Sequence, residues 1–397
     1  MKGSTRAAIS RRSLIAGTSA GLATIGLGVA PAIGQSRSLK IGALLPLTGG
    51  LDLHAEQMWL GIQTAVAEIN GAGGVLGRPV EMIYRDAQGS PAGLAELCRS
   101  LADEEGVSAA VGPFIAAGRK AASRALADRG VPLISASNHE GDYCLPNYFS
   151  FGQAPNQDIV PLVHYLDAGA GRSYFLVGSN SSWQHGGFHE AALSILNGEG
   201  GTVLGQAHTN VGEQNFGPVI RSIKKSDAEA VIFCVPRPQG IQFVEQAQKH
   251  GLLDKVRLGW VGFNELHSAR LTPDQSGFVS TVTPFVSSDT EGGVPELAAR
   301  MRSVSGERTP VTYYAFTHYA GVTAIAEACR KQGETSSAAA LAGLPGLTFT
   351  SATGPVTIDA KTHHASYNLV VARGEGDRLA IVERLGQVVA DPGCSAT

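Results

Sequence analysis

From residue 39 onward, short β-branched runs alternate with amphipathic helical stretches, and this alternation constrains the fold more than any single motif. Such a pattern belongs to parallel sheets covered by helices on both faces. Residues 40–46 (KIGALLP) read as a first strand, and 54–70 as a helix with Met58, Ile62, Val66 and Ile69 on one face. Strand 80–86 follows, and Ser90-Pro91 opens the next helix as a cap plus a proline at its first position. Further strands are expected at 107–111 and 131–135, around a helix near 119–129. The alternation restarts after Asn156, with helices to 168 and near 187–197, 216–223 and 241–250, and strands at 173–178, 202–208, 230–235 and 256–262. Late helices at 294–304 and 313–331 and short strands at 354–359, 368–372 and 379–382 must return to lobes already begun.

A chain of 397 residues built this way holds two βα lobes with no low-complexity linker, so several crossings join them and a cleft lies between. Ligands of open α/β sheets bind outside the carboxyl ends of the strands, which makes that cleft the default site. The formal charge of −3 gives no basic footprint, so nucleic acid is excluded as an expected partner.

The first 34 residues carry Lys2, Arg6, Arg11 and Arg12, no acid, and then an uncharged run from 13 to 34 broken by glycines. This is a signal-peptide layout, and Arg11-Arg12 resembles a twin-arginine export signal. Cleavage is compatible with Ala30-Pro31-Ala32 or with Ala32-Ile33-Gly34, and the expected destination is the periplasm, reached through the twin-arginine machinery. The G-x-S-x-G match at 17–21 falls inside this segment with no strand before it, so it is no nucleophile elbow.

Catalytic and metal signatures with adequate context are missing: no H-E-x-x-H, no G-x-x-x-x-G-K-[ST], no C-x-x-C. The glycine-rich 71–77 follows a helix and precedes a strand, the reverse of a dinucleotide loop. No cofactor, metal or enzymatic activity is therefore expected. The five cysteines are widely spaced; Cys98, Cys234 and Cys329 read as buried apolar thiols and Cys394 as an exposed tail residue.

Six segments in order resemble the type I periplasmic solute-binding proteins, in the branched-chain amino acid and amide group of ABC-transporter receptors: IGALLPLTG (41–49), EINGAGGVLGRPVEMIYRDAQGSP (68–91), AAVGPFIAAGRKAA (109–122), HEG (139–141), PNYFSFGQAPNQDIVPL (146–162) and GPVTIDAKTHH (354–364). Within that group the likeness is to urea-transporter binding proteins and the amide-sensing amidase regulators. The resemblance implies an α/β fold of two Rossmann-like lobes with parallel sheets and three hinge crossings, near 152–156, 283–286 and 350–354. It places residues 37–153 with 286–350 in the first lobe and 154–285 with 351–390 in the second. It also implies a receptor that hands a small-molecule solute to an ABC permease and ATPase. A cytoplasmic amide-sensing regulator is the alternative, opposed by the leader.

Carried over by motif, the cleft residues are Phe114, Ile115 and Ala116, where relatives have hydroxyls; Ser135, Ser137 and His139 after the next strand; Ser181 and Trp183, an aromatic wall; and Arg237 and Glu265 at two further strand ends. Phe114 and Ile115 read equally as core, and Arg237 and Glu265 equally as solvated loop charges. Asn156 and Gln157 are expected to serve the hinge and a helix cap. The missing hydroxyls favour a ligand with an apolar body and a polar or ionised head.

Overall fold

The computed structural model describes residues 38–48, 51–88, 90–167, 172–180, 188–306 and 309–396. Residues 1–34, where an export signal is expected, and Ser181 and Trp183 lie outside the described residues.

The first sheet is built from β1 (Leu39–Leu45), β2 (Val80–Asp86), β3 (Ala109–Val111), β4 (Leu133–Ser135) and β5 (Tyr148–Ser150), all parallel in the order β2-β1-β3-β4-β5. Between them run α1 (Asp52–Gly71), α2 (Pro91–Asp103) and α3 (Ala116–Ala127). β1 and β3 are almost wholly apolar and buried, as strands covered on both faces must be. Ser90 caps α2 by accepting from the Gly93 N–H at 3.1 Å, with Pro91 first in the helix, as the sequence predicts.

The second sheet begins after α4 (Pro155–Asp167). It takes β6 (Ser173–Ser179), β7 (Thr202–Thr209), β8 (Ala230–Cys234), β9 (Arg257–Trp260) and β10 (Val279–Thr283), with α5 (Glu190–Gly198), α6 (Gly217–Ser226), α7 (Arg237–Lys249) and the single turns α8 (Glu265–Ser268) and α9 (Pro273–Ser276) between them. The order β7-β6-β8-β9-β10 is parallel throughout. The chain then returns to the first sheet through α10 (Val294–Ser305), α11 (Tyr313–Gln332) and α12 (Ser337–Gly343). α11 packs along α1, where the Gly61 Cα comes so close that a Cβ would stand 1.9 Å from the Ala315 carbonyl oxygen. Finally β11 (Thr348–Ser351), β12 (Gly354–Ile358), β13 (Ala365–Glu375) and β14 (Arg378–Val388) add to the second sheet.

The chain thus passes between the sheets three times, after β5, after β10 and after α12. Gly152 lies in the first passage, and a Cβ there would stand 1.8 Å from the Ser137 carbonyl oxygen. Only glycine lets this crossing lie against the loop after β4.

Several sequence expectations need correction. The late strands are antiparallel, and β13 and β14 pair as a hairpin of two 11-residue strands. α1 and α7 begin earlier than their apolar periodicity indicates, at Asp52 and Arg237. Cys394 is not an exposed tail thiol: it forms a disulfide with Cys144, 250 residues away. Cys98, Cys234 and Cys329 are buried and free, as expected from their apolar faces.

Candidate functional site

Strands of both sheets end at one region. β3 runs into Gly112, the cis peptide to Pro113, and then Phe114 and Ile115 before α3. This loop is clamped from behind: Arg119, 3 % exposed, donates to the Phe114 carbonyl oxygen at 3.1 Å and pairs with Glu140 at 2.7 Å. The Phe114 ring is then free to face Tyr314 at 5.4 Å and His54 at 4.7 Å, an aromatic corner between α1, α3 and α11. Ile115, the N-cap of α3, is 44 % exposed, and Ala116 behind it is buried.

The loop after β4 is pinned by the Thr317 hydroxyl, which donates to the Ala136 carbonyl oxygen at 2.8 Å. Ser135, Ser137 and Asn138 are all buried. The Ser135 and Ser137 hydroxyls and the Asn138 Oδ1 have no hydrogen-bond partner among the described residues. Buried polar atoms without partners are uncommon in a folded protein and point to a missing partner. Asn138 Nδ2 donates at 2.8 Å to Asp158, which stands in the first turn of α4 on the other side of the crossing.

The second sheet contributes Ser179 at the end of β6, whose buried hydroxyl also lacks a partner, and Cys234 at the end of β8. Burial, then the adjacent Asp158 carboxylate, pushes the Cys234 thiol well above its ordinary value, so it acts as an apolar surface and not as a nucleophile.

Of the other expected site residues, His139 and Glu265 each have one polar atom bound within the protein and one, His139 Nε2 and Glu265 Oε2, buried without a partner among the described residues. His139 accepts the Gly141 N–H at Nδ1 and lies 4.8 Å from the His364 ring; burial first, then His364 and Arg119, holds it well below the usual histidine range and therefore neutral. Glu265 caps the second passage, where one oxygen accepts from the Ser287 N–H at 3.0 Å and from its hydroxyl at 3.1 Å. Burial raises its carboxyl to about 7 against those bonds. Arg237 is the first residue of α7, at the carboxyl end of β8. Asn156 lies inside α4, which begins at Pro155, and is not its N-cap; it holds the chain's tail at Val389 and Asp391, while Gln157 accepts from the Ala154 N–H in the first passage and donates to the Val388 carbonyl. Sequence reading missed His54, Tyr314 and Asp158. An acid in a helix's first turn is ordinary complementarity to the helix dipole, so nothing in the sequence sets Asp158 apart.

Cavities of about 310 and 230 Å³ lie elsewhere, around Pro284, Asn368 and the β13–β14 hairpin. Their arginines are paired within the protein, Arg384 with Asp289 and Glu291 and Arg378 with Glu375. Among the described residues no group of three His, Cys, Asp or Glu side chains could hold a metal ion.

The family model of the periplasmic binding proteins matches residues 38–378, nearly the whole described chain. The chain belongs to the periplasmic binding protein family. It is 24 % identical over 353 residues to the Leu/Ile/Val-binding protein BraC3 of Rhizobium johnstonii, covering 87 % of this chain and 94 % of that one. An ABC transporter substrate-binding protein from Sphaerobacter thermophilus superposes with a TM-score of 0.80 at 22 % identity, over 88 % of this chain and 98 % of its own. A solute-binding protein of an ABC transporter from R. palustris, solved with 4-hydroxybenzoate, gives 0.74 at 21 % identity, over 89 % and 98 %.

Proposed function

We propose that this protein is the exported substrate-binding component of an ABC transporter, which captures a small organic solute of the amino-acid, amide or aromatic-acid kind between its two sheets and presents it to a permease and ATPase. The observation that carries this reading is that partnerless buried polar atoms (Ser135, Ser137, Asn138, Ser179) and Phe114, which meets Tyr314 and His54, lie at or just past the carboxyl ends of strands from both sheets. A polar head would satisfy the former, and an apolar body would lie against the latter. The relatives' names support this chemistry, since one binds branched-chain amino acids and another was solved with an aromatic acid. The family supports a periplasmic location. We take lobe 1 as 37–153 with 286–350 and lobe 2 as 154–285 with 351–390, with Phe114, Ile115, Ala116, Ser135 and Ser137 as wall and floor and Ser181, Trp183 and Arg237 closing from the other lobe.

A thermal-shift screen of residues 38–397 against amino acids, amides, ureas and benzoates tests the reading, because a ligand of the folded state raises Tm by mass action. One chemical class should stabilise the protein in a concentration-dependent way. A folded protein silent to the whole panel counts against the proposal.

A further inference from the structure

The last residues of the chain reach from one sheet to the other. β14 ends at Val388 in the second sheet, and the residues that follow first stay on that side. Asn156 of α4, a helix packed on β9, β10 and β13, donates to the Val389 carbonyl oxygen at 2.9 Å and accepts the Asp391 N–H at 2.9 Å. The Ala390 N–H donates to the Ser366 hydroxyl on β13 at 3.2 Å. The tail then attaches to the first sheet. The Asp142 N–H donates to the Pro392 carbonyl oxygen at 2.6 Å, and Cys394 is bonded to Cys144; Asp142 and Cys144 both lie in the connection between β4 and β5. The crossing between these two sets of anchors is short and stiff. Pro392 has a fixed φ, the Asp391 carboxylate accepts the Gly393 N–H at 3.1 Å, and Gly393 lies so close to the loop that a Cβ would stand 2.7 Å from Asp142 Oδ1. Beyond it the Ala396 N–H donates at 2.7 Å to Lys361, in the turn between β12 and β13. That turn is itself docked on the first sheet, since the Ser150 N–H of β5 donates to the His363 carbonyl oxygen at 3.0 Å.

Resting on the receptor reading above, we infer that residues 389–396 are a strap, a fourth link between the sheets closed by the Cys144–Cys394 bond, which limits how far the sheets separate without solute and so tightens the binding of every solute by one common factor. Three peptide passages leave the sheets free to swing apart, and a fourth link anchored on both sides removes the widest-open arrangements from the unliganded ensemble. The apparent Kd is the intrinsic Kd divided by the fraction of molecules able to bind, so raising that fraction strengthens binding. The strap acts on this fraction and not through a contact with the solute, which is why the gain does not depend on the solute's chemistry. Hydrogen bonds at a chain end open readily, so the covalent bond is what keeps the strap in place.

The test compares wild type, Cys144→Ser, Cys394→Ser and wild type treated with dithiothreitol, at a temperature where circular dichroism shows wild type folded. Cys144 and Cys394 are only partly buried, so the dithiol reaches their bond, ends as its own cyclic disulfide and leaves two protein thiols. By small-angle X-ray scattering without solute, the three cut forms should share a radius of gyration larger than that of wild type. Calorimetry with each solute that raises Tm in the panel should find Kd weaker in the cut forms by one common factor, about three- to tenfold, while the solute-saturated forms scatter alike. Dithiothreitol should leave both variants unmoved. An unliganded radius that cutting does not change, a Kd unchanged or shifted for some solutes only, or loss of the fold in the cut forms would overturn the strap and leave the receptor reading standing. If folded wild type binds no solute of the panel, the receptor reading fails, and the unliganded scattering by itself still decides whether the tail restrains the sheets.

Discussion

At Phe114 one residue is fixed from both sides of its peptide and ring. Its carbonyl oxygen is held by Arg119 and its ring by Tyr314 and His54, so the side chain is positioned from both ends. Truncation removes one wall of an aromatic corner and leaves the buried Arg119–Glu140 pair behind it intact. Phe114→Ala should weaken binding of any solute found in the panel by about 1 to 3 kcal/mol while shifting the unliganded Tm little, because the ring is only partly buried. Calorimetry alongside thermal melts checks both halves; unchanged affinity in a folded variant would take Phe114 out of the site. The sequence pointed to Phe114 through the segment GPFIAAG but could not say whether it was core or wall. That depended on Tyr314, 200 residues later, and on His54, contacts that only the packing of α11 along α1 creates. His139 shows a second limit: its ring lies 4.8 Å from that of His364, a neighbour no local signal announces.

Elements place the site through their close approaches. The first passage lies on the loop after β4 because Gly152 has no side chain to keep it off the Ser137 carbonyl. Gly152→Ala should therefore either destabilise the protein by more than about 2 kcal/mol or displace the loop carrying Ser137 and Asn138. Urea unfolding and the affinity for a panel solute read these two outcomes; a variant unaltered in both would show that the passage is not fixed by this contact. Most strands and helices were legible in the sequence to within a few residues, since β-branched runs and 3.6-residue periodicity report burial directly. The three-residue β5, the single turns α8 and α9 and the short α12 were not, for they bury too few residues to leave a period. The early starts of α1 and α7 follow the same logic: their first turns are set by the preceding strand ends and not by an apolar face.

For the whole molecule, one of the contacts that join distant parts of the chain is covalent. Cys144 lies in the first-sheet segment between β4 and β5, and Cys394 in the tail after β14, so their disulfide joins parts 250 residues apart. The tail is also held by Asn156 and by the Asp142 N–H, which donates to the Pro392 carbonyl oxygen at 2.6 Å. Closing so long a loop restricts the unfolded chain, and Cys394→Ser should cost about 2 to 5 kcal/mol in chemical denaturation. A dithiol reductant should lower wild-type stability toward the variant and leave the variant unmoved; equal stability of all three would deny the bond a role. Thiol titration of the denatured, unreduced protein should find the three buried cysteines and no more. The pairing was not legible in the sequence because an odd count of widely spaced cysteines fits many connectivities.

The claim that a solute is captured between the two sheets is tested most directly by amide hydrogen exchange, with and without the solute that most raises Tm in the screen. Binding in the cleft should slow exchange together in residues 112–118 and 136–140 on one side and 235–241 and 261–266 on the other, since only closure over the ligand protects both sets of strand ends. Protection confined to one side, or appearing around the β13–β14 hairpin instead, would contradict the account.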